Sequence, residues 1–346
     1  MDKKKIIWFF IAILLAVLSI SAVLSQADSL SLHDLKEIVL SADKKWVVMS
    51  IFAMLGFICC EGGALLCLLH SVGYKRNAIQ GFLFSAGDVF FSAITPSASG
   101  GQPASAYFMK KSGIPLSVTT AVLVMNLVMY TLGILTVGLL CLVTAPEIFF
   151  HFNLLSRGLI LLGAFVLVLF AIFFLLLLFH RQILNILVHK TAYLLSKLRL
   201  LRKPKAWIAK YEKRIEAYHE SVGQMAGSKM ALVGAYLWNL AQRVSQISVT
   251  AFVFLATGGD PKDVFSIWTI QSMVAIGSNT VPVPGGMGVA DYLMLDGFRD
   301  MMSKSSAVRL ELLSRSLSFY ICVLLSGFTV AIGYAAYYFI LSRKRS

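Results

Sequence analysis

The sequence predicts an all-α, polytopic integral membrane protein with about six full spans and two re-entrant helical hairpins in an inverted repeat. Three observations lead there. Several apolar runs exceed the roughly 18 residues that suggest a spanning helix, in a 346-residue chain that is 58% hydrophobic and 14% charged, with a mean hydropathy of +0.78. Two of the apolar regions are interrupted, at Thr95-Pro96-Ser97-Ala98-Ser99-Gly100-Gly101-Gln102-Pro103 and at Val281-Pro282-Val283-Pro284-Gly285-Gly286-Met287-Gly288. Basic residues gather at alternating ends of the runs, as positive-inside topology requires.

The first run, Ile6 to Leu24, follows Lys3-Lys4-Lys5 and resembles a signal peptide with Ser25-Gln26-Ala27 as a cleavage site. A signal core is only about 7–15 residues long. This run is longer, so an uncleaved first span with its lysines inside is expected, and residues 26–45 then lie outside. Trp46 to His70 returns, ending near Lys75 and Arg76. Ile79 to Ile94 leads into the first break, after which come Tyr107 and Lys110-Lys111. A full crossing would put Lys110-Lys111 outside; a re-entrant hairpin keeps both basic pairs inside. Ile114 to Ala145 then crosses outward, and Leu159 to Phe179 returns.

Residues 181–228 form the longest polar stretch, with Arg181, Lys190, Lys197, Arg199, Arg202, Lys203, Lys205, Lys210, Lys213 and Arg214. They are expected to form a basic cytoplasmic loop. Interleaved leucine, tyrosine and Trp207 suggest helices at the interface, held to anionic lipid by about 1 kcal/mol per basic residue; a solvated connecting helix fits equally well. Met230 to Ala256 crosses outward. Val264 to Val281 enters, breaks at Pro282–Gly288 and leaves through Val289 to Met301, and Leu310 to Leu341 returns to Arg343-Lys344-Arg345. On this topology 21 of the 31 lysines and arginines lie at inner ends and loops, which supports it. Both termini are then cytoplasmic.

Span, hairpin, span over 46–145 begins outside; span, hairpin, span over 229–341 begins inside. The whole chain, 1–346, is thus expected to form a single transmembrane domain with its hairpin tips meeting near the midplane. Paired proline and glycine interruptions in two such halves point to a transport site.

Arg243 sits in the middle of its span, roughly 20 Å of helix from either end, where an arginine costs about 2.5–3.5 kcal/mol to insert. It must be paired or must line a wet cavity. Asn239, Gln242, Arg243 and Gln246 follow the i, i+3, i+4, i+7 pattern and share one face, which points into the bundle. Arg243 reads either as a structural ion pair or as a substrate-facing cation. Glu61, Asp88 and Asp291 are candidate partners for it or for a cationic substrate group. Glu311 and Arg315, at i and i+4, read as a self-satisfying structural pair. Ser97, Ser99, Gly100 and Gly101 suit a phosphate-contacting tip, since exposed amides at helix N-termini favour anions; Gln102 and Pro103 would open the second half-helix. The alternative is that the glycines only allow tight packing.

Several function classes recede. The net charge of +14 lies beside membrane spans, so no specific nucleic-acid partner is expected. Cys59, Cys60, Cys67, Cys141 and Cys322 fall in apolar segments without ligand spacing and read as small buried hydrophobes. Six scattered histidines pair with no serine or cysteine motif. No catalytic set, metal site or cofactor is expected, and without a P-loop any ATP-driven work needs a partner.

Gly100-Gly101-Gln102-Pro103 and Pro284-Gly285-Gly286-Met287-Gly288-Val289-Ala290-Asp291 resemble the two motifs of the lysylphosphatidylglycerol synthase/flippase family, the multiple peptide resistance factors and their shorter relatives. Many members carry glutamate where Asp291 stands. The resemblance covers nearly the whole chain and implies a bacterial plasma-membrane protein that moves aminoacylated phosphatidylglycerol from the inner to the outer leaflet. It places Pro284, Gly285, Gly286, Gly288 and Asp291 beside the substrate with the first motif. In full-length members a soluble domain transfers lysine from lysyl-tRNA to the lipid. Residues 181–228 are too few for such a domain and the chain ends just after its last span, so lysyl transfer is expected to be absent.

The leading expectation is therefore a lipid translocase whose partners are the membrane and a phospholipid substrate. Its rival is a phosphatidylglycerol lysyltransferase acting alone or with a soluble lipid-modifying partner, contributing to resistance to cationic peptides. A scaffold that recruits lipid enzymes through the basic loop is the third reading. Homo-oligomerisation is compatible with all three.

Overall fold

The structure, a computed structural model, describes residues 42–95, 99–197, 204–278 and 288–343. The expected first span, Ser97, and Pro284, Gly285 and Gly286 lie outside the described residues. The rest is helical: α1 Lys44–Ser71, α2 Ala78–Ile94, α3 Gly101–Lys111, α4 Leu116–Thr144, α5 Pro146–His151, α6 Leu154–Phe179, α7 Arg181–Lys197, α8 Pro204–Gly227 and α9 Lys229–Ala256. A 3₁₀ turn, Pro261–Asp263, leads to α10 Val264–Ser278, then α11 Val289–Phe298 and α12 Lys304–Arg315; a π-helical turn, Ser316–Ile321, joins α12 to α13 Cys322–Arg343.

Local chemistry sets these boundaries. Asp43 caps α1 by accepting the Lys45 N–H. Asn77 and Gln80 form a reciprocal capping box at α2, which satisfies two amides that the first turn leaves unpaired. Asn153 accepts the Ser156 N–H at 2.8 Å, so α6 starts five residues before the Leu159 expected from hydropathy alone. Pro103 sits in the first turn of α3, where its missing N–H costs no helical bond.

Among the described residues four helices are long and apolar enough to cross a membrane: Lys44–Ser71, Leu116–Thr144, Leu154–Phe179 and the composite Lys304–Tyr334. The expected fifth, α9, has 28 residues, or about 42 Å of helix against a hydrocarbon core of about 30 Å. It is long enough but not apolar enough, because it buries Asn239, Gln242 and Arg243 inside the bundle. α6 is the opposite case. Phe165, Leu169, Phe173 and Leu176 are exposed on a helix whose best window reaches a mean hydropathy of 3.2, a surface suited to lipid.

The centre of the fold is the antiparallel pair α1 and α9. The Asp43 N–H donates to the Ala256 carbonyl at one end, Gly56 lies against Ser245, Gly63 against the Trp238 ring, and Gly234 against Cys67 near the other end. Small residues let helices approach closely where lipid supplies no hydrophobic drive. Gly62 faces the other way, toward α2: a Cβ there would sit 2.8 Å from the Gly81 carbonyl. The Gly62-Gly63 pair thus seats α1 between α2 and α9.

α2 and α3 fold back on each other. Gly87 packs on Phe108, and at the open end of the pair the Arg76 guanidinium donates to the Ser112 carbonyl at 2.7 Å, which ties the two outer ends together. α10 and α11 make a second antiparallel pair, with Gly277 against Leu293 and Gly297 against Ile270. This pair is fastened at the α5–α6 corner. Asp296, whose side chain is only 6% exposed, accepts the Asn153 N–H and Nδ2, each at 2.9 Å, and the Arg299 guanidinium at 3.0 Å. Replacing Asp296 with alanine strands these donors, at a cost of about 1–3 kcal/mol each where buried. Amide hydrogen exchange across residues 289–298 is expected to accelerate in Asp296→Ala while α1 keeps its protection; equal exchange in both proteins would show that the corner does not hold the pair.

The cysteines correct one expectation. Cys141 and Cys322 are buried and all five are free, but Cys59 is exposed on the outside of α1. The apolar surroundings inferred from sequence face outward at that position.

Candidate functional site

Two apolar clusters fill the bundle, and a polar belt separates them. On α1, Ile58 belongs to one cluster and Ala64 and Leu65 to the other, with Glu61 between. On α4 the belt falls between Val128 and Ile134, and on α9 between Ala235 and Ile247. The residues of this belt come from five helices, and its hydrogen bonds join residues as far as 181 positions apart in the chain.

Arg243 is its only cation among the described residues and is 3% exposed. Its Nη1 donates to the Tyr130 hydroxyl at 3.1 Å and to Gln246 Oε1 at 2.6 Å. The guanidinium lies 4.1 Å from the Tyr130 ring centre and 5.2 Å from that of Phe57, so both aromatic faces stabilise its charge. Nε and Nη2 are buried without a hydrogen-bond partner among the described residues. No carboxylate among those residues forms an ion pair with it; the ion pairs they make belong to Glu212, Asp296, Asp300, Asp291 and Glu311. The charge is held by rings and amides, and half of its donor fork is unused.

Glu61 and Asp88 form the acidic side. Glu61 Oε2 accepts the Ser85 hydroxyl at 3.0 Å and Gln242 Nε2 at 3.2 Å. Asp88 accepts the Ser92 hydroxyl at 3.0 Å on Oδ1 and Gln102 Nε2 at 2.6 Å on Oδ2. The two carboxyls are within hydrogen-bonding reach of each other, and Arg243 is within electrostatic reach of Glu61. Gln102 therefore has a defined task, to fasten the start of α3 to the middle of α2. Asn239, fully buried, donates to Asn126 Oδ1 at 2.9 Å and extends the belt onto α4.

The first break is tightly built. The Gly100 N–H donates to Thr95 Oγ1 at 2.8 Å, and a Cβ on Gly101 would sit 2.0 Å from both Asp88 Oδ1 and Ser92 Oγ. Between the two readings of these glycines, contact between the arms has direct geometric support. Ser99 lies beside them in the turn.

Asp291 is elsewhere. Its carboxylate pairs with Arg315 of α12, which also holds Glu311 Oε1 at 2.8 Å, and its Oδ2 accepts the N–H of Gly288 at 3.0 Å. Gly288 has φ of 85°, a left-handed conformation natural to glycine. Arg315 thus takes the place as partner of Asp291 that sequence reasoning offered to Arg243. The Glu311–Arg315 pair forms as expected but also binds the second helix pair to the last span, next to the π-helical turn.

Asn126, Tyr130, Ser85 and Ser92 were not anticipated. Asn126 had a usable signal, as a lone amide inside an apolar helix. Ser85 shares a helical face with Asp88 at i+3. Tyr130 gives no such signal, since interfacial and core tyrosines look alike in sequence.

The described clefts lie away from the belt, around Arg181, Glu212 and Glu216 on α7 and α8, and around Asp43, Gly258 and Arg309 at the far end of α1. Glu61, Asp88, Asn239, Gln242 and Arg243 are all buried. The family described as lysylphosphatidylglycerol synthase TM region matches residues 8–326. No curated protein matches the chain.

Proposed function

The chain belongs to the lysylphosphatidylglycerol synthase transmembrane-region family, a family tied to membrane lipid, and we propose that it is a lipid translocase of the bacterial plasma membrane. It is a multi-pass membrane protein. In this reading the polar belt receives the head group of an anionic or aminoacylated phospholipid such as lysylphosphatidylglycerol, while the acyl chains stay in the bilayer.

One observation supports the reading: a buried arginine whose Nε and Nη2 have no hydrogen-bond partner, and which forms no ion pair, among the described residues. Such a fork matches two oxygens of a phosphate. The Glu61–Asp88 side offers acceptors for a head-group ammonium. Antiparallel packing of α1 and α9, each followed by a helix pair folded back on itself, supports an inverted repeat of 46–145 and 229–341 whose pairs enter from opposite faces. A head group reaches these buried side chains when one helix pair moves against the other, which is how alternating access works in such architectures.

The family's name favours a second reading, lysyl transfer to phosphatidylglycerol. Cells expressing only this chain separate the two. Translocation predicts an unaltered lipid inventory and an altered leaflet distribution when lysylphosphatidylglycerol is made by another enzyme. New lysylated lipid without that enzyme would instead establish the transferase.

A further inference from the structure

The translocase reading leaves the driving force open, and the acidic half of the belt bears on it. Glu61 and Asp88 are 7% and 8% exposed and within hydrogen-bonding reach of each other across α1 and α2. They accept hydrogen bonds from the neutral groups of Ser85, Gln242, Ser92 and Gln102. Of the charged or titratable groups facing them, Arg243 of α9 is engaged with Tyr130 and Gln246, and Cys322 of α13 lies within electrostatic reach of Glu61. Among the described residues no lysine, arginine or histidine forms an ion pair with either carboxyl. Two neighbouring carboxyls buried at membrane depth avoid facing like charge when one of them carries a proton. A separate observation points the same way. Gln242 is 1% exposed, its Nε2 donates to Glu61, and its Oε1 is buried without a donor among the described residues. The belt thus holds an unused acceptor next to a carboxyl pair that forms no ion pair among those residues.

We propose that the Glu61–Asp88 pair is a proton site of the transport cycle, exchanging one proton for one head-group ammonium. Intramembrane carboxyls of this kind serve as proton relays. The ammonium brings the same unit of positive charge and the same kind of donor as the shared proton. As it enters, the O–H bond breaks and the proton leaves to water on that side. As it departs on the other side, a proton from that side restores the O–H bond. Lipid and proton therefore move in opposite directions. A carboxyl pair left with neither partner at membrane depth is strongly disfavoured, which suppresses uncoupled return.

This inference rests on the translocase reading, and two measurements keep their fates apart. The first uses the purified full chain in phosphatidylcholine vesicles containing a trace of lysylphosphatidylglycerol, read with a membrane-impermeant amine reagent. A pH difference of about one unit should enrich the lipid in the leaflet on the acidic side, approaching about tenfold for one-for-one exchange. The second is the infrared difference spectrum of the purified protein after a pH step. It should contain a protonated-carboxyl band that is lost in both Glu61→Gln and Asp88→Asn. Lipid that crosses but ignores the pH difference would overturn the exchange and leave translocation standing. If no lipid crosses at all, translocation fails, and the exchange fails with it. Absence of the carboxyl band in the unaltered protein would overturn the proton site in either case.

Discussion

Arg243→Ala is expected to slow appearance of the lipid in the opposite leaflet severely while leaving membrane insertion and the fold intact. The charged hydrogen bonds it would give to a phosphate are worth about 1.5–3 kcal/mol, so transport should fall by about ten- to a hundredfold. The structural cost should be small. Removing one partner of a buried ion pair is damaging because it strands the other charge, but no carboxylate among the described residues forms an ion pair with this guanidinium. Its losses are one bond to Tyr130, one to Gln246 and two ring contacts. Arg243→Lys should recover only part of the activity, since an ammonium keeps the charge without the fork or the planar stacking. Transport by Arg243→Ala at the unaltered rate, measured in protein of unaltered melting temperature, would remove this residue from the head-group site.

Gly101→Ala should be nearly as severe for a different reason. The added Cβ would fall 2.0 Å from Asp88 Oδ1 and from Ser92 Oγ, a distance no pair of such atoms tolerates. α3 would have to lift away from α2, breaking the 2.6 Å bond from Gln102 to Asp88. Overpacking of this kind costs about 1–3 kcal/mol, and here it also disturbs the carboxyl pair. Both the melting temperature and lipid transport should drop. Gly158→Ala is the control, because nothing lies within 4 Å of a Cβ at that position of α6 and alanine is the better helix former by about 1 kcal/mol. A Gly101→Ala protein as stable and active as the control would mean that the two arms do not meet as described.

The sequence pattern was informative wherever a local rule governs. The i, i+3, i+4, i+7 face of Asn239, Gln242, Arg243 and Gln246 could be read as inward-pointing because a polar stripe has no other place in a spanning helix, and three of the four are buried. The break after Ile94 was legible because proline and glycine punctuate helices in any environment. Pairing between distant segments was not legible. Asp291 and Arg315 lie 24 positions apart on different helices, and nothing local to either prefers the other over Arg243. The task of Gln102 was likewise hidden, since only the return of α3 along α2 brings it to Asp88. The glycines of the first break look equally suited to anion binding and to close packing in sequence; the distances from Gly101 to its neighbours support close packing there. Hydropathy also misleads on α9, where the residues that lower it are those that the bundle encloses.

The central claim is that this membrane-embedded belt carries a phospholipid head group across the bilayer. Leaflet exchange by the purified chain tests it most directly, using head-group-labelled phosphatidylglycerol in sealed vesicles and an impermeant quencher. The account predicts that the quencher reaches the whole label in vesicles with the unaltered protein but only the outer-leaflet share in empty vesicles and in those with Arg243→Ala. Quenching limited to the outer leaflet in all three preparations would contradict it.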